Sequence, residues 1–529
     1  MADIGLSLAI AGVVLSGPPI VNTLIKLGEF IVDKAKAHRQ IDDNRKLCDQ
    51  VISLNQSQSQ LLLAFVHKFD KQISQELRDE VYRLYQSLRN IYEDLIPAFA
   101  VTDTSSSSGT VKQPKLSSRD IIKIQSGIQN LETWNDRFLK LAIVILFFGP
   151  NELMAAKEGH ERAVHTYKAL DRIHKLREAV QSTLANTVPP TKLLLDSDDN
   201  TLRRTPLPDS ELYLVNQPSG SMPELKPSLV EDRPYSDDTD TVAMNKIRRT
   251  VRDIASILHE ADPGIMGVLR CQGFRQEKKQ NRFELHFMLP DSGQNPRSLR
   301  NLLRDPTYRD VGPVHPLNHR LDLAKRLASA VFFIHSADFV HKNIRPENII
   351  IFESRLSDTH PDTVKYHQFP RALGVPYLVG YDGIRKVDTV SDRARVDHPE
   401  RGIYLSPERH RLKIGDEFTM QHDVYSLGVV LFEIAIWKDL TSHASSIGKM
   451  LWHDQGAPKH YTIVRDNLIK LAKTYIPRYL GQKYTDAVVT CLTSLEQDWQ
   501  TGGLEDQDGV IVGLAYVTQV LKRLEEIVL

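Results

Sequence analysis

Residues 334–352, IHSADFVHKNIRPENIIIF, constrain this chain more than any other stretch. Upstream, Leu323, Leu327, Val331 and Ile334 recur at the spacing of one apolar helix face. That helix runs into a short turn, then a polar loop from His341 to Asn348, then the uncharged run IIIF, which reads as a buried strand. A polar loop between two buried elements must satisfy its hydrogen bonds locally, which restricts it to few shapes. Downstream, YLSPE at 404–408 precedes HDVYSLGVVLFEI at 422–434, a segment apolar enough on all sides to be a core helix.

HKNIRPEN has the layout H-R-D-L-x-x-x-N, and the order of these four segments resembles the large lobe of the protein-kinase family. YLSPE resembles the A-P-E motif, with Glu408 as its acid. Asp423 matches the aspartate that holds the catalytic-loop backbone. The resemblance implies an α+β bilobal kinase-like fold. In that family the loop aspartate accepts the proton of the substrate hydroxyl. Here the position is Asn343, and an amide has no basic lone pair comparable to a carboxylate's. Arg345 stands in for the catalytic-loop lysine, and Asn348 matches the metal-binding asparagine. His341, Glu408 and Asp423 read as residues that hold the fold together.

The D-F-G equivalent belongs in PYLVGYDGIR, 376–385, and two registers fit. In the first, preferred because it keeps the aromatic and the distance from the strand, the motif is Gly380-Tyr381-Asp382 and glycine replaces the Mg²⁺-binding aspartate. In the second, Asp382 itself is the ligand. The phosphate charges of ATP need that metal. The small lobe shows less of the pattern. Residues 205–240 contain Gly220 and no second glycine for a G-x-G-x-x-G loop. SLVEDRPY, 228–235, resembles the strand that carries the conserved lysine and offers Arg233 at best. Arginine differs from lysine in charge distribution and reach. A helix is expected at about 241–260, with Ile247, Val251, Ile254 and Leu258 on one face. ATP binding is therefore expected to be weak or absent, with no other cofactor and no metal.

At 529 residues the chain is long enough for several domains. Its 67 basic and 67 acidic side chains cancel, which argues against nucleic acid as a partner. Cys48, Cys271 and Cys491 are isolated, which indicates a reducing compartment without a disulfide framework.

The first part of the chain carries a different pattern. Leu47, Val51, Leu54, Leu61 and Phe65 lie along one helix face, and Leu77, Val81, Leu84, Leu88, Ile91 and Leu95 along another that Pro97 should end. The serine-rich stretch 101–118 reads as a loop. A third helix carries Ile121, Ile124, Ile128, Leu131, Trp134 and Phe138. A fourth, about 151–186, carries Tyr167, Leu170, Ile173, Leu176 and Val180, and the tract to Pro208 reads as a linker. At the N-terminus, IGLSLAIAGVVLSGPPIVNTLI is apolar throughout and near the ~20 residues that cross a bilayer. Pro18 and Pro19 interrupt it, so it is either a buried helix or one that inserts conditionally.

MADIGLSLAIAGVV, the heptad-like helices with a serine-rich break and the tryptophan-bearing helix resemble the fungal HeLo family. Joined to the kinase-like part, they resemble fungal HeLo–kinase proteins and, in architecture, the mixed-lineage kinase domain-like family of necroptosis executors. The fold expectation is a multidomain chain: an all-α, HeLo-like helical bundle over 1–150, a brace helix over 151–190, a linker over 191–208 and a kinase-like (pseudokinase) domain over 209–529. The resemblance implies a cell-death or heterokaryon-incompatibility effector. Ile4, Leu6, Leu8, Ile10, Val13, Val14 and Leu15 would be its membrane-active residues. It further implies self-association, membrane lipid as partner after activation, an upstream activating protein, and movement from the cytoplasm to the plasma membrane. The alternatives are an active atypical Ser/Thr kinase and a non-membrane signalling scaffold.

Overall fold

A computed structural model describes residues 24–31 (except 25), 52, 75–99, 118–148, 168–195 (except 190), 203–216, 227–306 (except 292), 314–354 (except 338), 368–386, 399–411, 418–453, 458–494 and 516–527. The expected membrane-active residues Ile4 to Leu15, Cys48, the Leu47–Phe65 stripe and Tyr167 lie outside the described residues. The chain forms two compact units, 1–167 and 168–529, so it is multidomain. The described residues of the first unit are helical, and those of the second combine helices with antiparallel sheets.

In the first unit, α1 (Gln75–Phe99) and α2 (Ser118–Phe148) pack along their apolar stripes. Val81, Leu84, Leu88 and Leu95 are buried on α1, as are Ile124, Ile128, Leu131, Trp134 and Phe138 on α2. Trp134 Nε1 donates to the Leu84 carbonyl at 2.8 Å, while Gly127 lies against Leu95. Contacts that run backward along α1 as they run forward along α2 make the pair antiparallel. Pro97 does not itself end α1, contrary to expectation; the helix stops two residues beyond it, at Phe99.

The second unit begins with α3 (Lys168–Leu184). It packs against α4 (Thr241–Glu260), and Leu176 and Val180 on it are buried. Leu170 and Ile173 fall in α3, but their side chains lie outside the described residues. From Lys168 on, the helix expected as a brace between bundle and kinase-like domain belongs to the same compact unit as α4. The expected linker over 191–208 also needs correction. Leu195 N donates to Phe274 O at 2.8 Å and Phe274 N to Leu193 O at 2.9 Å, which covers the outer edge of a sheet. Residues 203–206 are already its first strand.

That sheet contains β1 (Arg203–Pro206), β2 (Leu212–Asn216), β3 (Ser228–Pro234), β4 (Cys271–Glu277) and β5 (Arg282–Met288). They are antiparallel in the order β1-β2-β3-β5-β4. α4 lies against β4 and β5 and buries Val251, Ile254 and Leu258; Asp240 caps it by accepting from Ala243 N at 2.7 Å.

Beyond β6 (Gly293–Ser298), the short α5 (Leu299–Leu303) leads to α6 (Leu317–Ser336), then β7 (Phe339–Val340), β8 (Ile349–Ser354), β9 (Val375–Leu378) and β10 (Arg385–Lys386). β6, β8 and β9 form one small sheet, and β7 and β10 another. α7 (Met420–Ile436), α8 (Pro458–Tyr475) and α9 (Pro477–Leu492) complete the large lobe. α7 is buried nearly all round. Gly428 lets it approach α9, since a Cβ there would stand 2.7 Å from the Cys491 Cβ. Arg300 on α5 is buried and ties three segments together. Its guanidinium meets Glu347 at 3.0 Å, Asp439 at 2.5 Å, Glu433 at 3.3 Å and the Tyr404 hydroxyl at 2.6 Å. Cys271 and Cys491 are free and buried. Among the described residues, no helix is long and apolar enough to cross a membrane.

Candidate functional site

The turn between β7 and β8 is the HKNIRPEN loop, and α7 fixes it from below. Asp423 Oδ2 accepts from His341 N at 2.6 Å and Oδ1 from Lys342 N at 2.8 Å. The same carboxylate meets His335 Nε2 at 3.1 Å. Lys342 has φ 66°, left-handed backbone that a non-glycine residue adopts only when its surroundings hold it there. These donors, first the His335 bond, hold the Asp423 carboxyl below the usual aspartate value despite its burial. Burial drives His341 down to about 4, so its ring is neutral near pH 7.

Asn343 turns its amide toward the D-F-G-like segment, where Nδ2 donates to Asp382 Oδ1 at 2.6 Å. Asn348 Nδ2 in turn donates to Asn343 O at 2.8 Å. Tyr381 is fully buried, its ring 5.3 Å from His341 and 5.8 Å from Phe287 on β5, with its hydroxyl donating to Leu378 O at 2.9 Å. The aromatic of the motif is thus in the core, and its two neighbours, Gly380 and Asp382, flank the loop. Gly380 has φ 90°, and a Cβ on it would run into the Asn348 side chain.

The β3 contribution differs from the sequence expectation. Leu229, Glu231 and Arg233 alternate onto one face of the strand. Glu231 reaches the motif: it is buried, and its Oε2 accepts from Gly380 N at 2.9 Å. Burial, then the negative charge of Asp382, pushes Glu231 up to about 8, while the Gly380 and Tyr381 amides and Arg233 act the other way. A carboxylic acid therefore stands beside the motif, with Arg233 acting on it electrostatically. A charged triplet, EDR, in an otherwise apolar strand was the signal available in the sequence.

The hairpin β1–β2 occupies the place of the glycine-rich loop, and its turn, Leu207–Glu211, contains no glycine. It is fastened to the large lobe. Ser298 Oγ donates to Pro208 O at 3.0 Å, Asn301 Nδ2 to Asp209 Oδ2 at 2.9 Å, and Arg304 meets Asp209 at 3.5 Å. Glu211 bridges Arg345 at 3.1 Å and Arg401 at 2.6 Å. Glu408 pairs with Arg465 on α8 at 3.2 Å, away from this cluster.

Gly380 offers a Mg²⁺ ion no side-chain ligand, and Asn348 fills the space where a side chain on it would begin. Among the described residues, no three His, Cys, Asp or Glu side chains converge so as to hold a metal ion.

No known family model matches the chain. Among curated proteins it is similar to the serine/threonine-protein kinase PrkC of Bacillus subtilis, 28% identical over 144 residues, which is 27% of this chain and 19% of that one. It is also similar to a probable serine/threonine-protein kinase, PknB, of Lactococcus lactis, 25% identical over 114 residues, 22% of this chain and 15% of the relative. The RAF proto-oncogene serine/threonine-protein kinase of Xenopus laevis matches with 25% identity over 114 residues, again 22% and 15%. The matches span less than a fifth of the length of these relatives. This distant homology, with the strand order and loop geometry above, supports a kinase-like domain in the second unit.

Proposed function

We propose that the kinase-like unit does not transfer phosphate and instead controls the N-terminal helical unit, which acts on membranes in regulated cell death or heterokaryon incompatibility. The observation that carries the first half is the pair Asn343 and Gly380, with the Asn348 side chain in the space where an aspartate would begin. Asn343 cannot act as the base, and Gly380 has no side chain to bind Mg²⁺. ATP binding would be weak or absent. The second half rests on the HeLo-like sequence pattern. On this reading the protein waits in the cytoplasm, responds to an upstream activating protein, self-associates and engages lipid at the plasma membrane. α3, packed on α4, is the coupling element, so a partner that shifts α4 also acts on α3. Such a partner works only through different affinities for the resting and active states.

Dye release from liposomes by residues 1–167, beside the full chain and beside Leu8→Lys in the same fragment, tests this. A charge at a bilayer centre costs about 2.5–3.5 kcal/mol on insertion scales, so Leu8→Lys should abolish release. A folded Leu8→Lys chain that releases dye as well as the wild type would leave the membrane reading without support.

A second reading, an active Ser/Thr kinase of unusual chemistry, is favoured by the Asp382 carboxylate beside Asn343 and by the kinase relatives. Transfer of radiolabel from ATP that is lost in Asp382→Asn would establish it.

A further inference from the structure

The segment that leaves α3 closes a ring of contacts around α4. α3 packs on α4, α4 packs on β4, and β4 is bonded along its outer edge to residues 193–195. That last joint is small. Phe274 N donates to Leu193 O at 2.9 Å and Leu195 N to Phe274 O at 2.8 Å, with Leu194 opposite Phe274 in parallel register. Leu194 is 49% exposed. Leu193 has φ 60°, left-handed backbone that a leucine adopts only when its surroundings hold it there. Gly273 makes the approach possible: a Cβ on it would stand 2.5 Å from Leu193 O and 2.9 Å from Leu195 Cδ2.

The connection back to α3 is bonded along its length. Asn186, φ 56°, ends the helix, and its N donates to Thr183 O at 3.2 Å. Thr187 N donates to Ser182 O at 2.9 Å, Lys192 N to Pro189 O at 3.1 Å and Leu194 N to Thr191 O at 3.2 Å, while Val188 is buried. A displacement of 193–195 therefore reaches the last turn of α3 through a short, folded connection. The other joints of the ring bury apolar side chains: Leu176, Ala179 and Val180 on α3, and Val251, Ile254 and Leu258 on α4. Local opening begins where few apolar contacts and solvent-exposed backbone bonds hold a segment, which in this ring is 193–195. We infer that residues 193–195 are a latch: paired with β4 they hold α3 on α4, and detached they let α3 leave. The inference rests on the coupling role proposed for α3 and supplies its catch. Its test reads α3 directly, without membrane or nucleotide, so either can fail without the other.

The experiment is hydrogen–deuterium exchange of the full chain, read by mass spectrometry on peptides that contain α3, Leu195 and β5. Two variants open the latch from opposite sides. Gly273→Val puts a side chain where Leu193 O lies. Leu193→Pro fixes φ near about −65°, which the observed 60° excludes. Each should speed exchange at Leu195 and in α3 at least tenfold, while β5 exchanges as in the wild type. The β5 peptide shows whether the small lobe is intact. Should Gly273→Val disturb it, Leu193→Pro, which leaves every strand of the sheet unaltered, decides the matter. The inference fails if Leu193→Pro speeds exchange at Leu195 while α3 keeps its wild-type protection, or if Leu193→Pro leaves exchange at Leu195 unchanged.

Discussion

The side chain of Asn348 occupies the volume that a Cβ on Gly380 would require, with Cγ and Nδ2 both too close to admit it. In a kinase, residues at these two positions share a metal ion. Here one fills the room of the other. The backbone at Gly380, φ 90°, adds a second obstacle to any side chain.

Gly380→Asp should therefore destabilise rather than repair. Holding a non-glycine residue in such backbone costs about 1–3 kcal/mol, and displacement of Asn348 adds to it. We expect a lower melting temperature for Gly380→Asp. The double variant Asn343→Asp with Gly380→Asp should transfer no radiolabel from ATP. Restored transfer in that double variant would show that Asn348 moves aside readily.

Glu231 makes stability depend on pH. In the folded protein it keeps its proton up to about pH 8, against an ordinary value of 4.5. The folded state thus binds more protons than the unfolded chain between those values, so stability falls as pH rises from 4.5 to about 8 and levels off above it. Each pKa unit corresponds to about 1.4 kcal/mol, so part of the shift suffices for detection. Glu231→Gln keeps the acceptor for Gly380 N and has no proton to lose. Its melting temperature relative to the wild type should rise from pH 5 to pH 8.5; a constant difference would refute the buried-acid account.

Asp423 acts in the opposite sense. Its folded pKa lies below the ordinary 3.8, so its contribution is present above that value and is lost as pH falls through the folded one. Asp423→Asn turns an amide N–H toward one of the two backbone donors of His341 and Lys342. Loss of a charge-assisted bond of this kind costs about 1.5–3 kcal/mol. Urea unfolding at pH 7 should show that loss, and the variant should lose less stability than the wild type on acidification.

Arg300 is the most exposed to damage by one substitution. Its removal leaves Glu433 buried without its cation and Asp439 with Arg304 alone. Burial already drives Glu433 up to about 7 with Arg300 present. Arg300→Leu should cost about 3–5 kcal/mol. Pairing it with Glu433→Gln should return part of that loss. Equal stability of Arg300→Leu and wild type would mean the network is dispensable.

The sequence determined the elements whose identity depends on local spacing. The α4 stripe, the α6 stripe and the largely apolar α7 segment each specify a helix and its buried side, because a helix repeats its face every three to four residues. The loop His341–Asn348 was legible for a related reason: its polar residues lie between two apolar elements that fix its ends. Asn343 in place of a base needed no structure at all. The tertiary structure decided everything that depends on which distant segments meet. Glu231 and Arg233 share a strand face, so alternation could not say which of them reaches Gly380. Residues 193–195 read as linker until β4 offered them an unpaired edge. Glu211 on a turn, Arg345 on a loop and Arg401 on another helix have no periodic relation in sequence. Hydrogen bonds and ion pairs act over about 3 Å, whereas the bonded partners are separated by about 80 to 190 residues of chain, and only the folded lobes bring them within that range.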